Sequence, residues 1–455
     1  MKAITNRKVS ILALWLTGIT MFVIFFASAR WNTNKVVEAD VVSYYSYLPA
    51  VFVYGDISMS YAIADTFFSD KVWGVYWKEG MGPVQKYTMG MAYAYLPFFL
   101  GGHVVAQVFD YPVNGYSKPY RFALQLSSLF FLLIGLIFLR KVLLRYYSDT
   151  ITALILLLLT FGSNLFYYSL GQGPMPHVYL FCLISILLYC TIRFYEAPSW
   201  QYAILIGLIG GWITLIRPNH MMIWLIPALY GVYNGATLKL RLRLFWTEKW
   251  KFLAWPTLVF LVILPQLFYW KYLTENWLYY SYGEEGFFFL HPQFLKTLFS
   301  FRNGWLIYSP IMVLGVIGLF RLRRYSPAFG LAIPLHFILS LYIISSWWCW
   351  WYGGNFGNRV FIDLYPMLGL GMGAILTGLG HRLTPALRWA GLGIASLFLL
   401  LNLFQTLQYS RGLIHYDAMT PAAYRAIFGK LEAPPGLENL FEHPNYEKAK
   451  KGVYE

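Results

Sequence analysis

Apolar runs about 20 residues long recur from one end of this chain to the other. A helical run of that length crosses about 30 Å of hydrocarbon, and the segment from Ser10 to Ala29 is the first example. The 455-residue chain is 58% hydrophobic and 12% charged, with a mean hydropathy of +0.52. A soluble protein of this size has too little interior to bury so much apolar surface. The sequence therefore predicts an all-α polytopic membrane protein.

We expect eleven spanning helices, starting inside the cell and ending outside. Their predicted positions are about 10–29, 120–140, 150–169, 177–194, 201–216, 219–235, 253–273, 305–320, 327–346, 360–380 and 389–408. Lys2, Arg7 and Lys8 precede the first helix, which is too long for a cleaved signal core. With a cytoplasmic N-terminus, nearly all of the net charge of +15 falls on the inner segments. The basicity therefore reflects membrane orientation, and we expect no nucleic-acid partner.

The predicted organisation is one transmembrane domain over residues 1–408, followed by an extracytoplasmic tail over residues 409–455. The first outer loop, about residues 30–119, is the largest and carries two further apolar stretches, Val41–Tyr54 and Met89–Phe109. A spanning helix at the second stretch would invert every later loop against the charge bias. We therefore expect both stretches to be helices that lie in the outer interface.

Two charged residues of the first outer loop are candidates for chemistry. Asp40, in "EADVVSYYSYLPA", begins the first interfacial stretch, where a carboxylate can act as a general base on a hydroxyl. The alternative is a helix N-cap, a position that Asp favours. Lys86, in "QKYTMGMAYAYLPFFLGGH", can contact a phosphate as a point charge, or it is a lysine that extends to the interface.

Three arginines lie on the outer side at positions that membrane orientation does not explain. They are Arg217 in "LIRPNH", Arg302 in "SFRNGW" and Arg359 in "GNFGNRVFIDLYP". Guanidinium groups bind phosphate through forked hydrogen bonds. If the three groups face one outer cavity, they form a phosphate site.

Polar residues at outer helix ends are candidates for binding a sugar or an acceptor. Gln172 and His177 belong to "SLGQGPMPH", and Asn219 and His220 belong to "RPNH". The two histidines would also suit a metal, but neither has a second ligand at the usual sequence spacing. We therefore expect no metal, and no cofactor other than a lipid-phosphate substrate.

The segment "WWCWWYGGNFGNR", from Trp347 to Arg359, joins aromatic rings, glycines and amides. Trp347 and Trp348 are expected to be interface anchors. The remaining candidates can pack against a sugar or hydrogen-bond to it, and they are Trp351, Tyr352, Asn355 and Asn358. Asp363, one helical turn beyond Arg359, is expected to position that guanidinium.

Several segments in this order resemble the polytopic glycosyltransferases of the GT-C superfamily, which use lipid-phosphate sugars at the outer membrane face. They are "EADVVSYYSYLPAVFVYGD", "KYTMGMAYAYLPFFLGGH", "NLFYYSLGQGPMPHVYLF", "IRPNH", "SFRNGWLIYSPIMVLGVIGL", "WWYGGNFGNRVFIDLYP" and "GLIHYDAMTPAAY". The nearest likeness is to an uncharacterised bacterial branch related to protein O-mannosyltransferases and the lipid A aminoarabinose transferase. The resemblance implies that Asp40 is the catalytic base and that Lys86 contacts the donor phosphate. A lone Asp stands where several relatives have an acidic pair, so Glu38 remains a second acidic candidate.

The resemblance implies an inverting glycosyltransferase in the cytoplasmic membrane of a bacterium, with an extracytoplasmic active site. It would move a sugar from a polyprenyl-phosphate donor to the hydroxyl of a glycan, lipid or protein. Tyr44, Tyr45 and Tyr87 are expected to line the sugar or acceptor site with the residues above. The alternative is a flippase or transporter of lipid-linked glycans. The chain shows no internal repeat and its polar motifs gather at outer helix ends, which favours the enzyme.

Overall fold

The computed structural model describes residues 8–64, 75–76, 84–380 and 384–454, and most of these residues are helical. Two short strands, β1 (Val75–Tyr76) and β2 (Val84–Gln85), pair antiparallel, with Val75 opposite Gln85. The first ten helices are α1 (Lys8–Ser28), α2 (Asp40–Tyr45), α3 (Tyr47–Phe52), α4 (Tyr61–Ala64), α5 (Gly90–Val108), α6 (Lys118–Leu143), α7 (Asp149–Phe161), α8 (Leu165–Leu170), α9 (Pro176–Glu196) and α10 (Trp200–Ile216). The predicted all-α class is confirmed.

The second half of the chain continues the helical pattern with twelve α-helices and several 3-10 turns. The helices are α11 (Leu225–Leu229), α12 (Gly235–Thr247), α13 (Lys249–Thr274), α14 (Phe294–Phe299), α15 (Trp305–Tyr308), α16 (Met312–Leu319), α17 (Leu322–Tyr325), α18 (Ala332–Ser346), α19 (Tyr365–Gly380), α20 (Pro385–Ser410), α21 (Pro421–Ile427) and α22 (Tyr446–Lys450). The 3-10 segments are Arg30–Asn32, Asn34–Val36, Pro218–Trp224, Pro327–Phe329, Arg359–Leu364 and Leu437–Leu440.

Seven helical segments of the described chain are long and apolar enough to cross a membrane. They are Lys8–Asn32, Lys118–Leu143, Pro176–Glu196, Lys249–Thr274, Pro327–Ser346, Arg359–Gly380 and Pro385–Ser410. Two further apolar helices, α7 and α10, are shorter than a full span. The chain is therefore a helical membrane protein, and the count of eleven spans stays a prediction.

Three of the predicted spans are interrupted. Residues 150–169 fall into α7 and α8. Residues 219–235 fall into the 3-10 segment Pro218–Trp224, the short helix α11 and a turn at Gly231, where φ is +76°. Residues 305–320 fall into α15 and α16, with Pro310 between them. Proline lacks the backbone N–H that a continuous helix needs and clashes with the preceding turn.

The helices between α1 and α6 pack into the protein instead of forming a separate layer. Every residue of α2 after Asp40 is buried, and α2 and α3 pack on α5. The stretch 41–54 that was predicted as one helix divides at Ser46 into α2 and α3. This segment therefore brings Asp40 to the ends of the long helices.

The tail covers the aromatic segment 347–359. The carbonyl of Tyr416 accepts hydrogen bonds from Asn303 Nδ2 at 2.6 Å and from the backbone N–H of Asn355 at 3.2 Å. The Tyr446 ring contacts the rings of Trp348 and Trp351. Residues 409–454 are therefore docked on the loop that precedes Arg359.

Candidate active site

Asp40 and Arg359 meet although 319 residues separate them in the sequence. Arg359 Nη2 donates to Asp40 Oδ2 at 2.6 Å. The Asp40 side chain is 22% exposed and the Arg359 side chain 11% exposed. Asp40 is the first residue of α2, and Ala39 is the N-cap residue, without a side-chain cap. The N-cap interpretation of Asp40 is therefore wrong, because its carboxylate forms an ion pair instead.

The turn before Arg359 depends on two residues in the left-handed region. Gly357 has φ +64°, and a Cβ there would lie 2.6 Å from Tyr308 Cβ; Asn358 has φ +47°. Glycine adopts positive φ without penalty, and asparagine tolerates it. Arg359 Nη1 also donates to the Gly354 carbonyl at 3.3 Å. This turn directs the guanidinium toward Asp40.

Asp363 is a buried acceptor for three donors from two other parts of the chain. Oδ1 is 2.9 Å from His177 Nδ1, while Oδ2 is 2.8 Å from His220 Nε2 and 3.4 Å from Arg217 Nη1. The Asp363 side chain is fully buried. The prediction that Asp363 positions Arg359 is corrected, since these contacts connect it with Arg217 and the two histidines. Burial disfavours the charged Arg217, but Asp363, together with the nearby Tyr44, Tyr352 and Tyr282, outweighs burial and raises the pKa of Arg217.

Three phenols surround the Asp40–Arg359 pair. The Tyr44 and Tyr87 rings stack with centroids 4.3 Å apart, and Tyr87 meets Tyr282 edge-on at 5.9 Å. Burial raises the pKa of all three phenols above their usual value, and the Asp40 carboxylate raises each further. The phenols therefore stay protonated near neutral pH, so each keeps an O–H that can donate a hydrogen bond.

Lys86 lies beside this aromatic group but is ion-paired. Its ammonium contacts Glu285 Oε1 and lies 5.4 Å from the Tyr282 ring centroid. Trp348 Nε1 donates to Glu285 Oε2 at 3.1 Å, so Trp348 has a structural partner beyond the interface role that its position suggested. Each of the three cations nearest Asp40 thus has a carboxylate partner: Arg359 with Asp40, Arg217 with Asp363 and Lys86 with Glu285.

Three predicted site residues lie away from this cluster. Arg302 Nη2 donates to the Glu442 carbonyl at 2.6 Å and its guanidinium contacts the Trp351 ring, in a cleft lined by tail residues. The Tyr45 hydroxyl donates to the Gly115 carbonyl, and Glu38 pairs with Arg30 at 3.3 Å. The three arginines that were predicted to form one phosphate site are therefore not all together, because Arg302 lies at the tail.

Most of the side chains that were expected to contact a sugar form hydrogen bonds to backbone carbonyls of the protein instead. Asn355 Nδ2 donates to the carbonyls of Trp351 and Gly353, and Asn358 Nδ2 donates to the Trp350 carbonyl. The Tyr352 hydroxyl donates to the Ile344 carbonyl at 3.3 Å. These side chains shape the loop.

The four predicted polar residues from the other helix ends differ in how much of their surface is exposed. His177 is fully buried behind Asp363. Asn219 is half-buried in the 3-10 segment next to His220. Gln172 Oε1 is buried and receives no hydrogen bond from the described residues. Only Asn219 and His220 of this group retain exposed surface beside Arg217.

Sequence reasoning missed several residues that build the cluster. Tyr282, Glu285 and Asn164 are the main ones; Asn164 Nδ2 donates to the carbonyls of Phe356 at 3.0 Å and Gly357 at 2.8 Å. A polar residue that interrupts an apolar run, such as Asn164, was the available signal. Tyr282 and Glu285 gave no such signal, because they lie between α13 and α14, in a segment where polar residues are common.

The fold and this cluster define a helical membrane protein in which carboxylates and guanidinium groups meet at the helix ends. No protein-family model and no curated protein matches the chain.

Proposed function

We propose that the chain is an inverting glycosyltransferase of the GT-C type, with a polyprenyl-phosphate sugar as donor. The observation that supports the proposal best is the direct contact between Asp40 and Arg359. Such a reaction needs a base for the acceptor hydroxyl and a cation for the leaving phosphate, a few ångströms apart. The site would face the outside of a bacterial cytoplasmic membrane, and the chain would cross that membrane eleven times.

In the proposed reaction an acceptor oxygen attacks the anomeric carbon while its proton passes to Asp40. The bond between the anomeric carbon and the phosphate oxygen breaks, and polyprenyl phosphate leaves. Arg359 and Arg217 stabilise the negative charge that grows on that phosphate, a fixed electrostatic contribution. The fork of a guanidinium suits a phosphate better than an ammonium does.

Asp40 is the best candidate for the base among the cluster's acceptors. Asp363 already accepts three hydrogen bonds in a fully buried position, so it is suited to positioning. The phenols of Tyr44, Tyr87 and Tyr282 stay protonated because burial raises their pKa values. Asp40 combines partial exposure with a single ion-pair partner.

The ion pairing implies an order of events. While the pair is closed, the Arg359 guanidinium occupies Oδ2 of Asp40, the oxygen nearest to it. A donor phosphate that binds Arg359 would break the ion pair between Arg359 and Asp40. Asp40 would then be free to accept the proton of the acceptor hydroxyl. Donor binding would therefore come before activation of the acceptor.

The test is sugar transfer from labelled polyprenyl-phosphate sugars, measured with purified protein and host membranes that supply the acceptor. Asp40→Asn is expected to lower the rate by about 10²–10⁴-fold, the usual contribution of a general base. The protein should remain folded, since Asn is nearly isosteric. Release of free polyprenyl phosphate is the readout.

Glu38→Gln is the matched control, because Glu38 lies two residues earlier and pairs with Arg30 outside the cluster. It should transfer at close to the wild-type rate. Full activity in Asp40→Asn, or loss of activity in Glu38→Gln alone, would show that Asp40 is not the base. Energy-dependent movement of intact donor without transfer would support a flippase instead.

A further inference from the structure

The docked tail contains a cluster that neither the candidate active site nor the sequence reasoning uses. His415, Asp417 and His443 each offer a ligand atom, and these atoms all lie within 4.8 Å of one another. It is the only such group of three or more His, Cys, Asp or Glu side chains in the described chain. Two imidazoles and one carboxylate form a donor set typical of zinc and related transition metals.

A second observation concerns the unused oxygen of Asp417. Its side chain is only 5% exposed, and Oδ2 accepts the Tyr446 hydroxyl at 2.6 Å. Oδ1 receives no hydrogen bond from the described residues and lies 3.3 Å from His415 Nδ1. His415 Nδ1 accepts the backbone N–H groups of Asp417 at 3.3 Å and Ala418 at 3.1 Å, so its lone pair is directed at those groups and it cannot donate to Oδ1. A buried carboxylate oxygen without a hydrogen bond is costly unless a cation lies beside it.

The spacing of the candidate ligand atoms fits a metal ion. Two ligands that each lie about 2.0–2.1 Å from Zn²⁺ in a tetrahedral arrangement are about 3.3 Å apart. The candidate ligand atoms of the three side chains all lie within 4.8 Å of one another, so small side-chain rotations bring them to this spacing. The His415 and His443 rings lie 5.1 Å apart and nearly perpendicular, which allows a ring nitrogen of each to approach the same point.

We propose that His415, Asp417 and His443 bind one Zn²⁺-like divalent metal ion. The ion would link two segments of the tail and stabilise their contact with the aromatic loop 347–359. The two ligand segments are already joined by the backbone hydrogen bond from Glu442 to the Ala418 carbonyl at 3.0 Å. Between two of the ligands, the Tyr416 carbonyl accepts from Asn303 and Asn355. The ion therefore stabilises the tail where it docks on the loop before Arg359. This proposal revises the expectation that the protein binds no metal.

The test uses the purified full-length protein, stripped with a chelator and then titrated with Zn²⁺. Metal content per chain is measured by inductively coupled plasma mass spectrometry, and thermal unfolding is followed with and without Zn²⁺. We expect one tightly bound Zn²⁺ per chain and a higher Tm when it is bound, because a ligand of the native state alone stabilises that state. Neither readout depends on transferase activity, so the outcome is independent of the proposed function.

His443→Gln is the key variant, because His443 is exposed and its replacement should not disturb folding. It should weaken Zn²⁺ binding by at least about tenfold and abolish the rise in Tm. His291→Gln, which replaces an exposed histidine outside the cluster, is the control and should match the wild type. Asp417→Asn should behave like His443→Gln. The proposal is overturned if the wild type binds no stoichiometric Zn²⁺, or if His443→Gln binds it as tightly as His291→Gln.

Discussion

Asp40 and Asp363 are two carboxylates in one cluster whose surroundings suit them to different tasks. Asp40 has one ion-pair partner and retains exposed surface, whereas Asp363 is fully buried and accepts from His177, His220 and Arg217. A buried carboxylate needs several donors to replace the water it has lost. Asp363 therefore maintains the arrangement of Arg217, while Asp40 can exchange its partner.

Asp363→Asn is expected to destabilise the protein far more than Asp40→Asn. Removing the carboxylate leaves Arg217, His177 and His220 without the fully buried acceptor that they share, and breaking a buried pair costs about 3–5 kcal/mol. The same change at Asp40 breaks a single ion pair, whose carboxylate is 22% exposed and can exchange with water, so the loss of stability should be smaller. The comparison is made by thermal unfolding in one detergent. Equal Tm values for the two variants would contradict the different tasks assigned to these carboxylates.

At the scale of the helices, α16 and α19 approach each other more closely than side chains would allow. A Cβ on Gly318 would lie 1.9 Å from the Gly371 carbonyl oxygen, and a Cβ on Gly371 would lie 2.2 Å from the Gly315 carbonyl oxygen. Small residues permit such backbone contact between helices in membranes. Because Arg359 and Asp363 lie in the 3-10 segment that leads into α19, this crossing also positions the cluster.

Gly318→Ala should therefore force α16 and α19 apart. Inserting a methyl group into a packed contact costs about 1–3 kcal/mol, so the Tm in detergent should fall. Gly391→Ala is the control, because a Cβ at Gly391 on α20 meets nothing within 4 Å. If Gly318→Ala unfolds at the same temperature as Gly391→Ala, the close crossing is not a determinant of stability.

Particular residues show how much of this could be predicted from the sequence. The apolar runs indicated the long helices, because length and hydropathy are local properties. Asp40 and Arg359 were each predicted as site residues from their positions at the ends of apolar segments, but their direct ion pair was not predicted. The pairing of Lys86 with Glu285 and the three partners of Asp363 were not predicted either, because contacts between distant segments leave no periodic pattern. The breaks inside the predicted spans 219–235 and 305–320 were also missed, since apolar composition continues through both.

At the scale of the whole molecule, the account requires the tail and α12 to lie on opposite sides of the membrane. The exposed helix α12 carries Lys239, Arg241 and Arg243, which the positive-inside rule assigns to the cytoplasm. The three native cysteines, Cys182, Cys190 and Cys349, are buried in the structure. New cysteines at exposed positions can therefore report sidedness without removing the native ones.

Glu432→Cys and Arg243→Cys form the pair for this test, since both positions are exposed. In bacterial spheroplasts, a membrane-impermeant maleimide should label Glu432→Cys and leave Arg243→Cys unlabelled. Both should react after lysis, which shows that each thiol is accessible. The reverse pattern in spheroplasts would place the tail inside and contradict an extracytoplasmic active site.

The most direct test of the central claim is the affinity of the purified protein for undecaprenyl phosphate, measured by native mass spectrometry in detergent. The wild type should bind the lipid, and Arg359→Lys should bind it about tenfold more weakly or worse, because a point charge cannot replace the guanidinium fork. Arg302→Lys should bind like the wild type, since Arg302 contacts the tail instead. Failure of the wild type to bind, or equal affinity in Arg359→Lys, would contradict the assignment of Arg359 to a lipid phosphate.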